Sequence, residues 1–372
     1  MIHNSSNNEM QMDQKKSVDT FENYDCIRPG QVWLDTGGKR IQAHGASVFY
    51  ENGVFYWYGE NKEFTSKKNS IWTWGIRCYS SKDLYNWTDE GLIISPEPDN
   101  EQSILHPSRY MDRPHIIFHK KSKKYVCWLK YCDTNHFAVL TADHFLGPYT
   151  IVNKFLQPFG RECGDFDLAV DENTGKGYLF FEADHKDLLV TELSENYTDV
   201  SESFTIVYES MNPPYTREGV THFERRGKHY IVTSGMTGYM PNPSEVAVGN
   251  DWFGPFTVQG NPHVDDHSRA SFNSQISCIF KHPDIKDLYI AVADRWAPDF
   301  VVTADLYERL ARVVAANFDS SIQVSVDDQL ELLASPMVAH TDTSVADYVW
   351  LPIRFEGDRV RIDWYDEWRV DS

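Results

Sequence analysis

One pattern occurs five times along the chain: an apolar strand, a short polar turn, then an aromatic strand. It is seen in SVFYENGVFYWYGE (47–60), HIIFHKKSKKYVCWLKY (115–131), LAVDENTGKGYLFFE (168–182), THFERRGKHYIVTSG (221–235) and SCIFKHPDIKDLYIAVAD (277–294). β-Branched and aromatic runs on either side of a Gly, Asn, Asp or Lys turn read as hairpins. Each second strand carries a tyrosine (Tyr56, Tyr125, Tyr178, Tyr230, Tyr289), at spacings of 69, 53, 52 and 59 residues. Intervals of that size belong to propeller blades. Outer strands follow, introduced in DHFLGPYTIV and DWFGPFTVQG by a Gly-Pro-aromatic turn. Four-stranded units repeated five times, with few helical stretches, predict an all-β fold, a five-bladed β-propeller. A β-sandwich is the competing arrangement, but it does not normally show five near-equal units.

One segment departs from the pattern. TADLYERLARVVAANF (303–318) places Leu306, Leu310, Val313 and Val314 on one helical face, with Thr303 as N-cap. It lies in a stretch of about 300–345 that separates the halves of the last unit, before strands resume in YVWLPIRFEGDRVRIDWYDEW (348–368). The expectation is therefore a short helical insertion in the last blade, serving as a surface cap, a contact surface or one wall of a cleft. Residues 1–22 are polar and are predicted to be a disordered tail ahead of a propeller domain spanning 23–372.

Charge and composition narrow the partners. With 55 acidic against 35 basic residues, net −20, the field of the chain repels phosphate backbones and anionic membrane surfaces. The aromatic share of 14% excludes wholesale disorder and suits neutral polar ligands, sugars above all. No run of 18 apolar residues and no basic-then-apolar leader is present, so a cytoplasmic protein is expected. The six cysteines form no CxxC pair and read as buried reduced thiols.

A propeller gathers the starts of its innermost strands around one axis. Upstream of the five tyrosines, at offsets of 12, 13, 13, 12 and 14, stand His44, Asp112, Asp165, Glu218 and Gln275. Every unit thus places a hydrogen-bonding residue at nearly the same depth, and three of the five are carboxylic acids. Convergent carboxylates are what glycoside hydrolysis needs: one protonated to donate to the leaving oxygen, and another group to activate water on the opposite face of the sugar. Crowding and burial raise the pKa of one acid toward neutrality. Glu218, followed by Gly219, is the strongest candidate for that acid.

The chain resembles the family 43 glycoside hydrolases, inverting enzymes on a five-bladed propeller, and within them the exo-β-1,3-galactanase-like branch. The stretches that carry the likeness are WLDTGGKRIQAHG (33–45), VFYWYGE (54–60), DRPHIIF (112–118), REGVTHFERRGKHYIVTSGMTGYMPNP (217–243), SFNSQ (271–275), DRWAPD (294–299) and VWLPIRFEGD (349–358). The resemblance implies that Glu218 is the general acid and that Asp165 tunes it and holds the sugar. His44 takes the place where the wider family has a base aspartate, and Gln275 matches a glutamine that orients or activates the water. Asp112 matches an acid, usually Glu, beside the sugar; the shorter side chain withdraws its carboxylate by one methylene. His44 is itself a candidate base, since its ordinary pKa suits neutral pH. Trp72, Trp74, Tyr239 and Trp296 are candidates for stacking on sugar faces. Glu60, Arg295 and Asn242 are candidates for hydroxyl contacts. No cofactor is required, no metal ligand set is proposed, and a structural calcium ion on the axis is compatible with the acids gathered there. The expected partner is an oligosaccharide or polysaccharide. An arabinofuranosidase or xylosidase on the same fold, and a propeller that binds glycans without cleaving them, are the alternatives.

Overall fold

The computed structural model describes residues 23–371, so the tail expected at 1–22 lies outside the described residues. Among these, twenty strands form five four-stranded antiparallel meanders. Blade 1 holds β1 (His44–Glu51), β2 (Val54–Glu60), β3 (Ile76–Ser81) and β4 (Thr88–Ile94). Blade 2 holds β5 (Met111–His119), β6 (Lys124–Tyr131), β7 (His136–Ala142) and β8 (Thr150–Leu156). Blade 3 holds β9 (Cys163–Val170), β10 (Gly177–Ala183), β11 (Asp187–Leu193) and β12 (Val200–Tyr208). Blade 4 holds β13 (Arg217–Arg225), β14 (Lys228–Gly235), β15 (Glu245–Gly249) and β16 (Thr257–Gly260). Blade 5 holds β17 (Gln275–Lys281), β18 (Tyr289–Arg295), β19 (Asp347–Glu356) and β20 (Arg359–Ile362).

The five hairpins expected from sequence are the first two strands of the five blades. β1, β5, β9, β13 and β17 each touch the next, and β17 touches β1, so the inner strands close a ring around the axis. Blade middles are apolar on both faces because each sheet packs between two others. The core is accordingly divided: five apolar clusters lie between neighbouring blades. At the seam of blades 5 and 1, where no strand connects the sheets, Trp33, Trp57, Trp87 and Trp350 interlock, with Trp57 and Trp350 centroids 4.6 Å apart. A two-residue bridge, Ile27 N–H to Trp368 O at 2.9 Å and Trp368 N–H to Ile27 O at 3.0 Å, fastens the beginning of the described chain to its end across that seam.

The insertion is where the sequence placed it, between β18 and β19. It contains the expected helix, α1 (Ala304–Ala315), whose N-cap Thr303 accepts from the Leu306 N–H. A second helix was not anticipated: α2 (Val326–Ala334), capped by Ser325 with Asp327 and Asp328 in its first turn. Among the described residues no helix is long and apolar enough to cross a membrane.

In every blade the inner strand gains one residue over its partner near its start. The bulges fall at His44–Ser47, Asp112–His115, Cys163–Phe166, Glu218–Thr221 and Ile276–Cys278. Gly45, Arg113 and Gly219 take positive φ there, at 52°, 46° and 59°. A bulge turns a side chain away from the alternation of its strand. Five of them at one depth re-aim the residues at one end of the axis.

Candidate active site

At that end lies a cleft of about 350 Å³. Each blade contributes the start of its inner strand or the end of the next strand. Glu60 comes from β2, Asp112 and Arg113 from β5, and Lys130 from β6. Asp165 comes from β9, Glu218 from β13 and Gln275 from β17.

Asp165 is the hub. Its Oδ1 receives Arg113 Nε at 2.9 Å and Lys130 Nζ at 2.7 Å, and its Oδ2 accepts the Gly219 N–H at 2.9 Å. Burial alone would raise this carboxyl, but the two cations and the amide override it and hold it well below the usual carboxylate range. Glu218 differs. Among the described residues nothing donates to its half-buried carboxyl. Burial, reinforced by the Asp165 charge, pushes it up to about 8. Two carboxyl groups on neighbouring strands are thus driven to opposite protonation states at neutral pH, one an anion and one an acid.

Gln275 completes the centre. Its Oε1 accepts from Arg113 Nη2 at 2.9 Å and from Trp296 Nε1 at 3.2 Å, while its Nε2 donates to Ser234 Oγ at 2.8 Å. Both lone pairs of the amide oxygen are therefore taken. What the amide still offers is one N–H, which orients a water by donating to its oxygen.

On the opposite wall, Asp112 is held at both oxygens: Trp72 Nε1 donates at 2.5 Å and the Cys132 thiol at 2.8 Å. The fully buried Lys62 bonds Glu60 at 2.7 Å and lies 3.8 Å from Asp112. Burial pushes Glu60 up to about 8, against the pull of Lys62. Trp72 stacks on Tyr110, centroids 4.3 Å apart, and the Lys62 ammonium stands 4.5 Å over its ring. The indole nitrogen is thus engaged by Asp112 while its ring is shared with Tyr110 and Lys62. Tyr239 and Trp296 also line the cleft, 5.2 Å apart.

The structure brings Glu218, Asp165, Gln275, Asp112, Glu60, Trp72, Tyr239 and Trp296 together. Four other expected residues stand apart. His44 is fully buried beneath the cleft, its Nδ1 3.0 Å from Asp294 and its Nε2 3.2 Å from both Gln42 and Tyr348, so both ring nitrogens are engaged. Trp74 packs on Phe64. Asn242 is buried and ties a loop through Gly235 and Thr237. Arg295 spends its guanidinium on the carbonyls of Gly30, Phe272 and Asn273.

Sequence reasoning passed over Arg113, Lys130, Lys62, Cys132 and His185. Arg113 and Lys130 had a signal: one directly follows a residue at the repeated offset, the other ends an otherwise apolar second strand. His185 lines the cleft with the buried Glu182 carboxylate 3.2 Å behind it, a contact that raises the imidazole pKa. Among the described residues no group of three or more His, Cys, Asp or Glu is arranged to hold a metal ion. Of the acids lining the cleft, Asp165 is paired with Arg113 and Lys130, and Glu60 with Lys62.

A family model described as glycosyl hydrolases family 43 matches residues 40–306, from just before β1 into α1. The chain belongs to glycosyl hydrolases family 43. Among solved structures it is similar to a family 43 β-1,3-galactosidase at 27% identity and a TM-score of 0.75, over 94% of this chain and 64% of that one. It thus spans less than two thirds of that relative's length. It is also similar to exo-β-1,3-galactanases from Phanerochaete chrysosporium (23% identity, 93% of this chain and 68% of that one, TM-score 0.73) and Clostridium thermocellum (22%, 92% and 66%, TM-score 0.70). At those two identities the likeness is one of fold. No curated protein matches the chain by sequence. These family 43 neighbours lie in the branch that the motifs resembled, and the matched segment contains all five residues at the repeated offset.

Proposed function

We propose that this family 43 member is an inverting, exo-acting glycosidase of β-galactosides, with β-1,3-linked galactan fragments as substrate and the propeller from residue 23 onward as its catalytic domain. The observation that carries the reading is the divergence of two neighbouring carboxyls. Glu218, raised to about 8 with no donor, keeps its proton at neutral pH. Asp165, paired with Arg113 and Lys130, does not. Glu218 donates to the leaving glycosidic oxygen as general acid and is reprotonated from solvent. Water enters from the opposite face of the sugar, and its proton is released to solvent. The free N–H of Gln275 orients that water; His44, engaged at both nitrogens beneath the floor, supports the frame. Glu60 and Asp112 face the sugar hydroxyls. The choice of sugar rests on the neighbours, one of which is an exo-β-1,3-galactanase solved with β-1,3-galactotriose.

The test is to incubate the protein with β-1,3-galacto-oligosaccharides and follow the first released anomer by NMR. α-Galactose supports the reading; initial β-galactose or no release overturns it. An aryl-glycoside panel separates the arabinofuranosidase and xylosidase alternatives. One observation favours the binding-only alternative: the oxygen of Gln275 has no lone pair left for a proton. Glycan binding without turnover, unchanged by Glu218→Gln, is its signature.

A further inference from the structure

The cleft wall at blades 4 and 5 is a strap, residues 236–244, that leaves β14 and returns as β15. It carries Met236, Gly238 and Tyr239 to the cleft. Asn242 ties it internally, accepting from the Gly235 N–H at 2.6 Å and donating to Thr237 Oγ1 at 2.7 Å. Among the described residues no strand pairs with it. Its ends are tied by the Met236 N–H to the Pro214 carbonyl at 2.9 Å and by Ser271 Oγ, which accepts from the Ser244 N–H at 2.8 Å and donates to the Asn242 carbonyl at 2.7 Å. Its middle, around Tyr239 and Met240, therefore needs a further support.

That support is the helical insertion. The Tyr239 N–H donates to the Pro336 carbonyl at 3.0 Å, and Met240 is buried in a cluster with Tyr307 and Leu310 of α1 and Leu332 of α2. Gly238, at φ +56°, faces the insertion so closely that a Cβ would come within 2.8 Å of the Met337 carbonyl. The other root of the insertion follows Trp296, which donates to Gln275 and packs against Tyr239. A segment that adds no strand to any blade thus backs Tyr239 and begins directly after Trp296, the two aromatic members of one cleft wall.

We propose that the insertion is a positioning element: Leu310 and Leu332, acting through Met240, hold Tyr239 against Trp296 and so determine how tightly the cleft grips a sugar ring. The inference rests on the reading that this cleft binds a glycoside. It does not require that the sugar be galactose.

The test compares full-length parent, Leu332→Ala and the size-conserving Leu332→Met on the glycoside the parent turns over fastest. Leu332→Ala is expected to raise KM about tenfold with kcat within about twofold, and Leu332→Met to restore KM. Gly238→Ala, which leaves the helix residues unchanged and pushes the strap away from the Pro336 and Met337 carbonyls, is expected to raise KM in the same way. A lowered melting temperature with parental KM in both alanine variants overturns the proposal, as does a loss confined to kcat. If Leu332→Ala does not fold, Gly238→Ala decides. If the parent cleaves an arabinoside or xyloside but no galactoside, the proposed substrate fails while the KM comparison still tests the insertion. If the parent turns over nothing, the comparison is made on galactose binding read by tryptophan fluorescence, and absence of any binding overturns both readings.

Discussion

Charge at single residues decides the chemistry. Glu218→Gln is expected to lower kcat by about 10²–10⁴-fold, the range for a positioned general acid, measured on whichever glycoside the parent cleaves. In the parent, activity should fall on the alkaline side as pH rises through about 8, where Glu218 loses its proton. The same raised pKa sets a sign for stability. The folded protein holds a proton that the unfolded chain releases near pH 4–5. Glu218 therefore costs stability progressively as pH climbs from there toward 8. Melting curves at pH 5 and pH 8 should show Glu218→Gln gaining on the parent at the higher value. Asp165→Asn removes one of the charges that raise Glu218 and frees Arg113 and Lys130, which lower it, so the alkaline limb should move to lower pH. Breaking this buried network is expected to cost about 3–5 kcal/mol near neutrality. That deficit shrinks as pH falls below about 4, because a carboxyl with a depressed pKa stabilises only while ionised. Denaturant titrations at pH 7 and pH 3.5 read it.

The repeated offset made Glu218, Asp165, Gln275 and Asp112 legible from the sequence, because equal depth along five equivalent strands is a property of the chain itself. His44 shares the offset yet lies below the cleft. Depth along a strand does not say which way a side chain turns, and Asp294, Gln42 and Tyr348 decide that for His44.

At the scale of elements, the bulges turn a repeat into a site. Gly219 shows the mechanism: φ +59°, an N–H spent on Asp165, and space that a Cβ would fill 2.8 Å from Ser234 Oγ and 3.1 Å from Gln275 Nε2. Gly219→Ala is expected to cost about 1–2 kcal/mol for the left-handed backbone and to lower kcat about tenfold or more by displacing Glu218 and Gln275 together. A thermal melt and an initial-rate assay measure the two effects separately. The hairpins and α1 were readable because alternation and the i, i+4, i+7 spacing persist over many residues. The bulges were not, since one extra residue leaves no periodic trace. α2 escaped because one of its nine residues, Leu332, is buried while Leu330 and Leu333 are exposed, too narrow a face for a pattern.

The whole molecule is a ring, and a ring is only as secure as its seam. Trp57 is fully buried where blade 1 meets blade 5, against Trp33, Trp87, Tyr348 and Trp350. Trp57→Ala is expected to destabilise by about 3–5 kcal/mol, more than an exposed aromatic such as Tyr365→Ala, as equilibrium unfolding in denaturant would report. Much of the aromatic content is thus spent between blades, and a few rings remain for the cleft. The sequence by itself determined the number of blades, the place of the insertion and the depth of the reacting groups, because strand periodicity and repeat length are local properties written in consecutive residues. Only the tertiary structure decided which groups face one another. The ionised Asp165 between Arg113 and Lys130, the protonated Glu218 beside it, the saturated oxygen of Gln275 and the insertion behind Tyr239 join residues from different blades, and a pKa depends on the charges and burial that closing the ring brings within a few ångströms.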